Sequence, residues 1–245
     1  YYVRAYLTNT LGTFYGNEVS FTTPESNNPV YLAENGVTIK AKDWSVVGDS
    51  GIINGITYTI VDRQILDSMI ENVEDITTVC TTKITDMSDL FVYTEDFNQD
   101  ISSWDVSNVE SMRYLLWDKQ NFNQDLSHWD VSNVVDMQAM LAGTAFNQDI
   151  SNWNVSNVVN MENMFNGAAF NQDISSWDVS SVTNMSYMFW GNESFNQDIS
   201  AWDVSSVNTM AGMFWDSAFN SPIGSWDVSN VAQMSSMFFE AELFN

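Results

Sequence analysis

The dipeptide Phe-Asn returns at Phe97, Phe122, Phe146, Phe170, Phe195, Phe219 and Phe244, at successive spacings of 25, 24, 24, 25, 24 and 25 residues. A period of this size restricts the chain to architectures in which one short unit stacks on the next, because such a unit cannot bury its apolar side alone. Six complete repeats are present, each a variant of FNQDISSWDVSNVxxMxxMF, and a degenerate forerunner, ITDMSDLF at 84–91, precedes them.

Within a repeat, Ile101, Trp104 and Val106 fit the LxxLxL strand of a leucine-rich repeat, with Trp104 and Val106 two apart on one face. Val109, Met112, Leu115 and Leu116 follow at the spacing of one helical face, and Ser107 or Asn108 is placed to cap its start. Residues rich in Gly, Ala, Asn and Ser then supply the return turn. The expected fold is therefore an α/β repeat solenoid, a leucine-rich-repeat-like right-handed coil with a parallel β-sheet face and short helical or 3-10 segments. Trp104, Trp129, Trp153, Trp177, Trp202 and Trp226 would form its internal ladder. The methionines, such as Met112 and Met137, sit at helix-face spacing and read as core filler, not soft-metal ligands.

The N-terminal quarter carries no repeat. Residues 1–23 alternate in short β-type runs around Thr10-Leu11-Gly12-Thr13, and residues 24–29, Pro-Glu-Ser-Asn-Asn-Pro, read as a linker. Residues 30–83 hold a strand pair, 37–42 and 56–61, and a helix from about Asp62, and are expected to cap the first coil of the 84–245 solenoid. The chain opens at Tyr1 without an initiator Met and stops at Phe244-Asn245, inside a seventh repeat. The expectation is a piece of a longer protein, with any targeting signal outside it and end-to-end self-association through an uncapped C-terminal coil.

Charge narrows the partners. Seven Lys and Arg face 32 Asp and Glu, the net charge is −25, and no Lys or Arg follows Lys119. Such a field repels phosphate backbones and anionic lipid, so nucleic acid is not an expected partner. Cys80 is the single cysteine and cannot form an internal disulfide, and no apolar run approaches the roughly 20 residues that membrane insertion needs.

The repeat FNQDISSWDVSNV with VTNMSYMF resembles that of the BspA-like leucine-rich-repeat surface proteins, a bacterial family also found among mycoplasma surface lipoproteins. The VTIKAKDW, GITYTIVD and TTKITDMSDLF segments resemble the region that precedes such repeats, and residues 1–23 resemble the last two strands of a fibronectin type III domain. The resemblance implies an extracellular, cell-surface or secreted protein for adhesion or protein binding, without catalytic activity.

Strand alternation would put Asp105, Asp130, Asn154, Asp178, Asp203 and Asp227 on the outer, concave face of the sheet, the expected site for a protein ligand on another cell, matrix or surface. Such a ladder would gather a cation such as Ca2+ or meet a basic surface; in the competing reading each Asp is solvated and bonds a neighbouring Ser or Asn. A second column, Asp100, Asp125, Asp149, Asp173 and Asp198, reads as structural Asx turns. Trp190, Trp215 and Phe239 follow the last helix-face position in successive repeats, with Trp117 earlier, and form an aromatic stripe suited to a glycan or a protein hot spot, or to packing on itself. His128 is the only histidine and no Cys or glycine-framed Ser pairs with it, so the chain is not read as an enzyme. The rivals to protein binding are a calcium-dependent carbohydrate-binding module and a passive spacer.

Overall fold

The computed structural model describes residues 2–20 and 27–245; Tyr1 and 21–26, which include the first half of the expected linker, lie outside the described residues. Strand β1 (Tyr2–Asn9) pairs antiparallel with β2 (Gly12–Ser20), with a register shift between Arg4 and Tyr6. The Asn9 side chain accepts the Leu11 N–H at 2.8 Å and fixes the turn between them. Tyr6, Leu7, Phe14 and Tyr15 on this hairpin are exposed.

Residues 27–80 form two small sheets and the one helix among the described residues. Strand β3 (Val30–Leu32) pairs antiparallel with β4 (Ile39–Ala41), and β5 (Ser50–Ile53) pairs antiparallel with β6 (Ile56–Ile60), which pairs parallel with β7 (Val79–Cys80). The expected pairing of 37–42 with 56–61 is thus replaced: each finds a nearer partner, in a different sheet. Helix α1 (Arg63–Glu71) starts where the Asp62 side chain accepts the Ile65 N–H at 2.9 Å. Its Leu66 enters the same core as the first repeats, with Met69 and Ile70 packed at the edge. Cys80 is buried with Val30, Ile39, Ala41 and Ile60, and burial pushes its thiol above the ordinary value, which keeps it unreactive.

Beyond Cys80 the described residues hold neither strand nor helix, and this overturns the leucine-rich-repeat-like coil expected from the spacing. There is no parallel sheet face and no helical or 3-10 segment in the repeats. The expected strand fails because its backbone is used in turns: Trp104 N–H donates to the Ile101 carbonyl at 3.1 Å and Val109 N–H to that of Val106 at 2.9 Å. Strand-type pairing between repeats is instead reduced to one residue in each, a run of isolated parallel bridges joining Asp86, Ser111, Asp136, Asn160, Asn184, Thr209 and Gln233.

The expected helix fails two residues after the first methionine. Tyr114 (φ 53°), Ala139 (51°), Asn163 (57°), Tyr187 (57°) and Ser236 (57°) are left-handed, as is Gly212 at the equivalent place (58°). A left-handed residue reverses the chain and ends any right-handed helix. Alternate N–H groups then point at the neighbouring repeat: those of Met112, Tyr114, Leu116 and Asp118 donate to the carbonyls of Asp136, Gln138, Met140 and Ala142 at 2.9, 2.8, 3.0 and 2.8 Å. The same hand-off recurs one repeat on, from Met137, Ala139, Leu141 and Gly143 to Asn160, Glu162, Met164 and Asn166.

Side chains reinforce that stacking. Each of the six repeat tryptophans donates its indole N–H at 3.1 Å to a carbonyl one repeat back: Trp104 to Ile76, Trp129 to Ile101, Trp153 to Leu126, Trp177 to Ile150, Trp202 to Ile174 and Trp226 to Ile199. The Phe-Asn phenylalanines stack face to face, for example Phe146 on Phe170 at 6.2 Å and Phe170 on Phe195 at 6.2 Å. A second column, Phe165, Phe189, Phe214 and Phe238, stacks at 5.6, 5.7 and 5.6 Å. The six indole-donating tryptophans and the stacked phenylalanines therefore belong to the core, and the repeat methionines lie buried among them, except Met234 in the last repeat, which is exposed.

Two stability predictions follow from this core and its turns. Trp177→Ala removes a large buried side chain and is expected to cost about 3–5 kcal/mol; Trp177→Phe leaves the Ile150 carbonyl without its indole donor and is expected to cost about 1–3 kcal/mol. Gly167→Ala (φ 60°) has open space for a Cβ and should lose only the left-handed strain of about 1–2 kcal/mol, whereas a Cβ at Gly212 would overlap the Tyr187 ring, so Gly212→Ala should cost more. Denaturant melts of the four variants read both orderings.

Candidate binding surface

The acidic column is built by Asx turns. Asp130 Oδ1 accepts the Ser132 N–H at 3.1 Å and its hydroxyl at 2.6 Å, and Asp178 does the same with Ser180 at 3.1 and 2.6 Å. Asn154 substitutes with Ser156 at 3.2 and 2.7 Å, while Asp203 and Asp227 accept the N–H of Ser205 and Ser229, each at 3.0 Å. Asp130, Asn154, Asp178, Asp203 and Asp227 are exposed, but on turns, so the concave sheet face expected to carry them does not exist.

Asp105 is placed differently. It is buried, with Ser107 on Oδ1, the Thr82 hydroxyl on Oδ2 at 2.7 Å and the Lys40 ammonium 3.4 Å from Oδ1. Lys40 comes from β4, whose Ile39 N–H also donates to the Ser103 carbonyl at 2.9 Å. The first member of the column is thus covered by the N-terminal segment and faces no ligand.

Hydrogen bonds to the ionised form hold several of these carboxyls below the ordinary aspartate range. For Asp178, Asp203 and Asp227 the serine hydroxyl is the main cause and the serine N–H the next. In the second column, Asp125, Asp149, Asp173 and Asp198 are lowered first by the N–H of Ser127, Ser151, Ser175 and Ser200. Among the described residues no group of three His, Cys, Asp or Glu is placed to hold a metal ion. With one oxygen of each carboxylate committed to its own turn, the column does not assemble the 6–8 oxygens that Ca2+ takes.

The aromatic stripe is assembled as spaced. Trp190 stacks on Trp215 at 5.4 Å, and Phe239 meets Trp215 edge-on at 5.2 Å. Backbone bonds fix the three on both sides: their N–H groups donate within the turn to Tyr187, Gly212 and Ser236, and their carbonyls accept from Gly167, Gly191 and Asp216 at 2.7, 2.8 and 2.8 Å. Self-packing leaves Trp215 half-buried but not its two neighbours, for Trp190 remains 39% and Phe239 52% exposed. Glu240 accepts the Trp215 indole N–H at 3.5 Å. Trp117 stands apart, 43% exposed and edge-on to Tyr114 at 5.8 Å, because the next two repeats carry Ala142 and Asn166 at its position. A shallow groove of about 320 Å³ beside it is floored by Ala139, Gly143 and Gly167 and edged by Asn163 and Asn166.

A profile of the family described as "Mycoplasma protein of unknown function, DUF285" matches residues 63–173 and again 142–245. No curated protein and no solved structure matches the chain.

The carboxyls lowered by their turns set the expected acid response. A depressed folded value means the unfolded chain binds more protons, so their contribution is complete above the unfolded aspartate value of about 3.9 and is lost as pH falls through the lower folded values. The melting temperature should therefore drop between roughly pH 4 and pH 2; a rise on acidification would mean that relief of the −25 charge outweighs the Asx turns. Millimolar CaCl2 should raise the melting temperature no more than NaCl of equal ionic strength.

Proposed function

We propose that this chain, which belongs to the DUF285 family of Mycoplasma proteins of unknown function, is a non-catalytic binding module displayed at the cell surface, whose aromatic stack takes a protein ligand. The run Trp190, Trp215 and Phe239, in which Trp190 and Phe239 are exposed and Trp215 is half-buried between them, carries this reading. Large aromatics held rigidly and left open to solvent are the residue types that dominate protein hot spots, and they lose little side-chain freedom on binding. Glu240, bonded to Trp215, and Asp216 beside it in sequence add negative charge, so the fitting partner presents an apolar patch with a basic rim.

The non-catalytic part of the reading is supported by the carboxylates, which recur as equivalent turn elements instead of one tuned acid and one base. Surface display is supported by the likeness of the repeats to BspA-like surface proteins and of residues 1–23 to the end of a fibronectin type III domain. No helix among the described residues is long and apolar enough to cross a membrane. A second reading, carbohydrate binding, is favoured by the groove beside Trp117, where the Asn163 and Asn166 amides stand next to an aromatic face. It would operate without a metal.

The immobilised chain should be probed with extracellular matrix proteins and a glycan array, with and without EDTA. We expect binding to a protein, insensitive to EDTA, weakened at least about tenfold by Trp215→Ala and unchanged by Asp178→Asn; hot-spot truncations commonly have effects of this size. Glycan binding lost on Trp117→Ala would replace this reading with the second. Binding to neither set would favour a spacer.

A further inference from the structure

After the forerunner repeat at 84–91, where two later repeats carry Ala142-Gly143-Thr144 or Asn166-Gly167-Ala168, the chain carries Val92-Tyr93-Thr94-Glu95-Asp96, and this loop stands across from α1 with a cleft of about 780 Å³ between them. The loop is held from behind. The buried Lys119 donates from Nζ to the Thr94 carbonyl at 2.8 Å, and the Thr94 hydroxyl donates to that of Phe91 at 2.7 Å. Gln99 ties the base of the cleft, accepting the Ile76 N–H at 3.0 Å and donating to the Glu74 carbonyl at 3.1 Å.

The cleft has an apolar floor and an acidic rim. Ile70, Ile76, Leu90 and Phe97 line the floor, and two large side chains at the mouth are almost wholly uncovered, Tyr93 at 97% and Val73 at 87% exposure. Glu71, Glu74, Asp89, Glu95 and Asp96 stand around it. The one base among the lining residues, Arg63, is already engaged by Asp67 at 2.7 Å and by the Asp86 carbonyl at 3.1 Å. Helix α1 presents its C-terminal end here, with no basic residue in its last turn, so the partial negative charge of its carbonyls adds to that of the side chains.

We infer that this cleft is a docking site for a basic peptide segment carrying apolar side chains, a partner distinct from the ligand of the aromatic stack. Charge complementarity selects the occupant. The rim is acidic with its only guanidinium used, and the exposed Tyr93 ring adds a face on which Lys or Arg can rest. Apolar side chains of the segment would cover the floor. A second copy of this chain is the wrong occupant, since it brings a net charge of −25 and no Lys or Arg after Lys119.

The test uses fluorescein-labelled peptides and fluorescence anisotropy: one alternating lysine and leucine, one alternating lysine and serine, and one alternating glutamate and leucine. The lysine–leucine peptide should bind most tightly. Its Kd should rise about tenfold or more for Tyr93→Ala and for Glu95→Gln combined with Asp96→Asn, and stay unchanged for Asp178→Asn, an exposed carboxylate elsewhere. Far-ultraviolet circular dichroism and melting of each variant confirm that the fold survives. Equal binding of the lysine–serine peptide, or an equal loss with Asp178→Asn, would show diffuse attraction to an acidic protein and overturn the site. Unchanged binding by both cleft variants, or concentration-dependent dimerisation abolished by Tyr93→Ala, would overturn it as well.

Discussion

Everything beyond residue 81 depends on how one repeat satisfies the backbone of the next. A repeat of 24 or 25 residues buries much of its own main chain, and buried N–H groups must find acceptors. Sheets and helices are the usual answers, and this chain uses neither. A left-handed residue at Tyr114 and its equivalents turns the backbone so that every second N–H leaves its own repeat and meets a carbonyl of the next, while those between close local turns. The indole N–H of each repeat tryptophan does the same in the opposite direction, reaching one repeat back. Each repeat is thereby held on both sides, and the phenylalanine columns fill the space those bonds enclose.

This arrangement explains which side chains are left over for function. Polar residues that look like candidate ligands in the sequence are mostly occupied: the serines close Asx turns on their aspartates, and Asn133 and Asn157 donate to carbonyls one repeat back. Among the described residues, the large side chains left partly uncovered and grouped together include Trp190, Trp215 and Phe239 in the later repeats, and Tyr93 with its acidic neighbours after the forerunner repeat. Function is sought there because identity between repeats marks architecture and departure from it marks a residue free to do something else.

The period, the number of repeats, the burial of the tryptophans and the start of α1 at Asp62 could be read from the sequence, because each leaves an unmistakable spacing or cap. The strand and the helix could not, for a physical reason. Apolar residues at i and i+2, or at i, i+3 and i+4, are equally well buried by consecutive turns, and the left-handed position is filled by Tyr, Ala, Asn, Gly or Ser, with no common residue to announce it. The weaker signal was four residues on, at Gly143, Gly167 and Gly191, all left-handed in the structure. The aromatic stripe was legible because Trp190, Trp215 and Phe239 fall at one repeat position where Ala142 and Asn166 stand in the two repeats before them. The burial of Asp105 was not, since its cover, Lys40, lies 65 residues away and no periodicity connects them.

The repeats are joined through the segment after the first methionine and not through a strand at the tryptophan. Amide hydrogen exchange in a middle repeat, read residue by residue by NMR, separates the two most directly. Slow exchange is expected at Met137, Ala139, Leu141 and Gly143, whose N–H groups bond the following repeat, and faster exchange at Asp130. Strong protection at Asp130 equal to that at Trp129 and Val131, with rapid exchange at Ala139 and Gly143, would contradict it.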